Sequence, residues 1–167
     1  MNSIRIPVGS IPLVVAALSL AACGGTAGTT GNGAGASPSS SALIHTASVK
    51  VGSSTETVLK NPTGLTLYYF TSDTATTVAC TGGCASNWPP LLATSGTPTA
   101  DPALPGRLAV LNGANGNQVL YNGHPLYTYG KDGGVADAYG QGIGGKWFVA
   151  TPGLAAAAAA ITTPYRY

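Results

Sequence analysis

Apolar and polar positions in this chain alternate with a period of two, the pattern of strands rather than helices. Ala47-Ser48-Val49-Lys50-Val51 predicts a strand, and Glu56-Thr57-Val58-Leu59 predicts a second. Asn61-Pro62-Thr63-Gly64 is a turn into a third, Leu65 to Phe70. A loop with Cys80 and Cys84 follows, and Trp88-Pro89-Pro90-Leu91-Leu92 closes the series. Asp101 to Gly106, with two prolines, reads as a connector. Then Arg107 to Leu111 predicts a strand, Asn112 to Asn117 a Gly/Asn loop, and Gln118 to Tyr121 the return strand. Asn122-Gly123 is a strong hairpin signal ahead of Pro125 to Tyr129. Trp147 to Ala150 is the last strand. Pro125 is expected at a sheet edge, where its missing donor costs little.

The second series repeats the first. Gly64-Leu65-Thr66-Leu67-Tyr68-Tyr69-Phe70-Thr71-Ser72-Asp73 returns as Gly123-His124-Pro125-Leu126-Tyr127-Thr128-Tyr129-Gly130-Lys131-Asp132, 59 residues on. The same offset relates Trp88 to Trp147, so the register holds well beyond the decapeptide. Such self-similarity marks a duplicated structural unit. The expected fold is mainly β: one small domain, residues 48–152, of two related units (about 58–92 and 117–152) joined by a pseudo-twofold.

The ends of the chain have other patterns. Arg5 and the apolar run Ile11 to Ala22 make residues 1–22 a secretory signal, too short to span a bilayer. Leu20-Ala21-Ala22-Cys23 resembles the bacterial lipobox, in which the cysteine thiol is acylated and cleavage makes it the new N-terminus. Ordinary cleavage with an incidental thiol is the competing reading, and a lone free cysteine there would be odd in an exported chain. Two or more acyl chains on Cys23 would anchor the protein stably. Within the segment 23–47, assigned to the lipidated cysteine and its Gly/Ser/Thr-rich tether, Gly24 to about Ser41 has no large apolar residue and reads as a flexible coil with a mean reach of about 25 Å. Residues 153–167 form an Ala-rich tail, whose alanine run favours helix but is too short to hold one alone.

Composition narrows the function classes. Charged residues are 7% of the chain, and Gly (24) and Pro (12) are abundant, which suits an exported, turn-dense β domain. Between 48 and 152, Lys50, Lys60, Arg107, Lys131 and Lys146 balance Glu56, Asp73, Asp101, Asp132 and Asp137. That balance provides no basic stripe, so nucleic acid is not an expected partner.

Several motifs in order carry a resemblance. Tyr68-x-Phe70-x-x-Asp73 and Tyr127-x-Tyr129-x-x-Asp132 resemble the Tyr-x-aromatic-x-x-Asp motif of a family of bacterial secreted-repeat lipoproteins. The cysteine pair before Trp88-Pro89-Pro90, the Tyr121 to Tyr127 stretch and the Gly-rich run from Gly140 into Trp147 fit the same family, over about Val58 to Pro152. The resemblance implies no settled activity. Members often have His after the second Trp; Phe148 stands here, so a metal or proton role for that position does not transfer.

The motif residues support few chemistries. Tyr68 and Phe70 share one strand face and Tyr69 the other, and Tyr127 and Tyr129 repeat this. With Trp88 and Trp147 they are expected to form a central core; the alternative is an aromatic groove for a small ligand. Asp73 and Asp132 are expected to cap turns rather than to act as an acid–base pair. A Ca²⁺ site at Asp132 and Asp137 lacks the dense ligand spacing of known loops. Cys80 and Cys84 are expected to form a disulfide in an oxidising compartment, and a redox or metal pair is the competing reading. His124, after the turn, is expected to be exposed and to carry no chemistry. The expectation is therefore a non-enzymatic, lipid-anchored envelope protein with a structural or binding role, no catalytic residues, no metal and no cofactor. Its membrane contact is the anchor at Cys23, and a protein or small-molecule partner is left open. The alternatives are a redox- or metal-handling lipoprotein using Cys80 and Cys84, and an aromatic-groove binder.

Overall fold

Strands β1 (Ile44–Val51) and β2 (Ser54–Lys60) form an antiparallel hairpin in the computed structural model, which describes residues 42–158. The signal segment, Cys23, the tether up to residue 41 and the tail from residue 159 lie outside the described residues. A two-residue strand, β4 (Ala100–Asp101), lies parallel to the start of β1 and completes a three-stranded sheet. β1 begins before residue 48, where sequence placed the start of the domain. Ile44 is buried between β2 and β4, and these partners, not the polar run His45 to Ser48, decide the boundary. Asp101, expected to open the connector 101–106, is strand for the same reason.

The second sheet has five strands in the order β5 (Leu108–Gly113), β6 (Gly116–Tyr121), β7 (His124–Tyr127), β3 (Tyr68–Phe70) and β8 (Trp147–Val149), all neighbours antiparallel. The β5–β6 hairpin turns at Ala114-Asn115, so most of the expected loop 112–117 is strand; Asn112 pairs with Asn117 through backbone alone. Asn122-Gly123 turns with φ of 49° and 82°, as a tight hairpin requires. Pro125 is not at an edge: β7 lies in the middle of the sheet. Its missing donor is tolerated because the β6–β7 ladder ends at the Leu120–Pro125 pair, and the β3–β7 ladder starts at the next residue, Leu126.

The duplicated units meet at the centre of this sheet. Tyr68 on β3 stands opposite Tyr127 on β7, its own repeat partner. The last segment of each unit then crosses to the other. β8 pairs with β3, while bridges Pro90–Tyr127 and Leu92–Gln118 lay the end of the first unit along β7 and β6. The crossing bonds match across the two units. Ala150 N donates to Leu67 O at 2.8 Å and Leu91 N to Leu126 O at 2.9 Å; Thr71 N donates to Lys146 O at 3.0 Å and Gly130 N to Asn87 O at 2.8 Å. Helix α1 (Gly83–Asn87) in the first unit corresponds to a 3-10 turn (Ile143–Gly145) in the second. This is a mainly β domain of two related units, each completed by a segment of the other.

Strands β3 and β7 send alternate side chains into two apolar clusters. One holds Ile44, Leu59, Leu67, Leu91, Val119, Tyr121, Leu126 and Ala150. The other holds Val49, Val58, Tyr68, Cys80, Trp88, Tyr127, Trp147 and Val149. The tail from Leu154 is not helical in its described part. It runs back over the Asn122 turn, with Ala157 N donating to Asn122 O at 2.8 Å and Asn122 Nδ2 to Leu154 O at 2.7 Å.

Candidate functional site

The repeat motif converges on one place. Tyr68 and Tyr127 have no exposed surface, and Trp88, Trp147, Asp73 and Asp132 are each 6% exposed. Alternation along β3 and β7 puts Tyr68, Phe70 and Tyr127 on the face where both Trp residues arrive, and Tyr129, two residues past the end of β7, packs against the same cluster. Trp88 and Trp147 stack with centroids 3.7 Å apart and planes 1° from parallel. Outside them lie Tyr129, on Trp88 at 4.3 Å, and Phe70, on Trp147 at 4.4 Å. Tyr68 meets Trp88 edge-on at 5.5 Å, and Tyr127 meets Trp147 edge-on at 5.1 Å. Each of these contacts in one half has its counterpart in the other. The Tyr68, Tyr127, Trp88 and Trp147 rings form core, and Phe70 and Tyr129 at the two ends of the stack are half-buried.

The aspartates are joined across the pseudo-twofold. Tyr68 Oη donates to Asp132 Oδ2 at 2.5 Å, and Tyr127 Oη donates to Asp73 Oδ2 at 2.6 Å. Each phenol thus belongs to one unit and its carboxylate to the other. The second oxygens cap turns, as the sequence suggested: Asp73 Oδ1 accepts from Ala79 N at 2.7 Å and Asp132 Oδ1 from Tyr139 N at 3.0 Å. Burial pushes both carboxyl pKa values up, against the pull of the phenol bonds. Burial, with the facing carboxylate, pushes both phenols well above their ordinary range. The exchange between units is not evident in the sequence, although the same five-residue Tyr-to-Asp spacing in both halves is its trace.

Gly140 closes the site over Tyr68. Its N–H donates to Tyr68 Oη at 3.2 Å, and an added Cβ would lie 2.7 Å from Tyr68 Cε1 and 2.9 Å from Trp88 Cη2. Only glycine permits that approach.

The remaining candidates lie apart from this arrangement or serve it. Cys80 and Cys84 are joined as a disulfide, with Cys80 fully buried in the Trp cluster. Asp137 Oδ2 accepts from Gly133 N at 2.9 Å and Gly134 N at 2.8 Å, an ordinary turn cap at the position of the candidate Ca²⁺ site. Lys60, in sequence only one of the balancing charges, is 2% exposed. Its Nζ donates to Thr66 Oγ1 at 2.7 Å and to Val135 O at 2.9 Å, and burial lowers its pKa. His124 is not exposed as expected. It is half-buried against Tyr69 at 4.8 Å, its Nε2 is 3.2 Å from Ala155 O, and its Nδ1 is buried without a partner among the described residues. The returning tail covers it, which the sequence pattern of residues 122–125 did not foretell. Among the described residues no helix is long and apolar enough to cross a membrane.

No curated protein and no solved structure matches the chain. A family model described as a secreted repeat of unknown function matches residues 53–92 and again 109–151. These spans are the two units whose end segments cross in the second sheet, and they carry export as a shared property. The chain belongs to the family of secreted repeats of unknown function.

Proposed function

We propose that this protein is a lipid-anchored, non-enzymatic component of the cell envelope, acylated at Cys23 and presenting its β domain on the Gly/Ser/Thr-rich tether at the extracytoplasmic face. Its role is structural or binding, toward a protein or small-molecule partner. The observation that carries this reading is the use of the motif residues. Tyr68, Tyr127, Asp73 and Asp132 are buried and engaged with one another, and both Trp residues are stacked on each other. Carboxylates held in this way serve the joint between the units and are not presented to a substrate. The lipobox-like Leu20-Ala21-Ala22-Cys23 supports the anchor.

The test is expression of the full chain in a bacterial host fed an alkyne-tagged fatty acid. Label is expected on the intact protein in the membrane fraction, and Cys23→Ser is expected to lose the label and move to the soluble envelope fraction. Equal membrane partition of both forms with no label on either would overturn the anchor. A hydrolase activity lost in Asp73→Asn/Asp132→Asn, with the fold kept, would overturn the non-enzymatic reading.

A further inference from the structure

The core rings form an unbroken series. Tyr68 touches Trp88, Trp88 lies on Trp147, and Trp147 touches Tyr127, at centroid distances of 5.5, 3.7 and 5.1 Å. At one end of the stack Tyr129, half-buried, covers Trp88. At the other end Phe70 covers Trp147, and its ring is hard to oxidise. Both ends of the Tyr–Trp–Trp–Tyr series are phenols with a carboxylate oxygen at 2.5 or 2.6 Å, within the range of short, charge-assisted bonds.

That geometry suits a specific event. A phenol that loses an electron becomes a strong acid, and its oxidation is easy only if the proton can leave at the same moment. Here a base already accepts the O–H bond, so the proton crosses without rearrangement. We infer that the core is a proton-coupled electron relay for strong one-electron oxidants met outside the cytoplasm. The oxidant gains one electron, which tunnels from the Trp88–Trp147 pair across the stacked Tyr129 ring, so Tyr129 itself is not oxidised and keeps its proton. Tyr68 loses that electron and its Oη proton. Its O–H bond breaks and a new one forms on Asp132 Oδ2, leaving a neutral phenoxyl radical beside a neutral carboxylic acid. Tyr127 and Asp73 do the same in the other half, so one chain holds two such equivalents. After the transfer the Gly140 N–H still faces Tyr68 Oη, and Tyr139 N still faces Asp132 Oδ1. Full burial of both phenols shelters the radical from coupling with other molecules. This goes beyond a display role and requires no substrate site.

The experiment is flash-quench oxidation of the full chain with photo-excited ruthenium tris-bipyridine and persulfate, followed by optical and electron paramagnetic resonance spectroscopy. A neutral tyrosyl signal is expected that loses one component in Tyr68→Phe, the other in Tyr127→Phe, and both in the double variant. Asp73→Asn/Asp132→Asn removes the base, and the single amide oxygen of each Asn then serves either the phenol or the Ala79 or Tyr139 N–H. With the fold kept by circular dichroism, it is expected to slow radical formation by about a hundredfold. Should that variant not fold, solvent deuterium on the unaltered protein decides the same question, since a transferred proton slows formation. Trp88→Phe keeps an aromatic ring in the stack and is expected to cut the radical yield. A signal indifferent to deuterium, or one that survives Tyr68→Phe/Tyr127→Phe and resides on exposed Tyr139, would overturn the inference.

Discussion

The two halves of the domain agree in their centre and differ at their rims. Both use the Tyr–Asp exchange, the Trp stack and the crossing of a terminal segment. Away from these the halves diverge. The first has a disulfide where the second has Tyr139 and Ile143, and a longer turn, Asn61 to Gly64, where the second has Asn122-Gly123. The first buries Lys60 beneath the Val135 carbonyl, whereas the second receives the tail at Asn122 and His124. This contrast locates the constraint on the duplication. Residues on the pseudo-twofold must suit both copies at once, because a change in one alters the partner of the other. Rim residues have neighbours of their own and differ between the two copies.

The equivalence of the halves is most exposed to attack at the stack. Trp88→Ala and Trp147→Ala each remove a buried indole that touches the other and a phenol, so each is expected to cost about 3–5 kcal/mol. The two costs should be alike and far from additive, since either change already dissolves the Trp–Trp contact. Urea unfolding of both singles and the double checks this. A large disparity would show that the halves are unequal at their centre.

A smaller effect is expected at the phenols. Tyr68→Phe and Tyr127→Phe leave a buried carboxylate oxygen without its donor, at a cost of about 1–3 kcal/mol each. The pH dependence follows from the raised carboxyl pKa values. An acid whose folded pKa lies above its unfolded one favours the fold at low pH, and that contribution is lost as pH rises through the folded value. Removing the phenol, which pulls the pKa down, raises it further. The deficit of each Phe variant is therefore expected to be largest at neutral pH and to shrink below the carboxylate range. Denaturation at neutral and at acidic pH reads it directly, and unlike profiles for the two variants would separate the halves.

The smallest effect belongs to the rim. Burial lowers the pKa of His124 from the ordinary histidine value, so its neutral form favours the docked tail. This contribution is present above the ordinary value and is lost as pH falls through the lowered one. Exchange of the Ala157 amide, which donates to Asn122 O, is expected to quicken on acidification. His124→Asn should flatten that response.

That this is a β protein, that it is duplicated, and which face of each motif strand is apolar were all legible in the chain alone. Alternation and a constant 59-residue offset are local or translational signals, and neither needs coordinates to be read. Who pairs with whom was settled only on folding. From spacing, Asp73 could cap its own turn, and it does, but that its other oxygen takes the phenol of Tyr127 depends on β3 and β7 lying side by side in opposite directions. The start of β1 at Ile44, the interior place of Pro125 and the burial of His124 have the same origin. Each is set by a neighbour distant in sequence, and hydrogen-bond partners and burial are properties of the neighbour as much as of the residue.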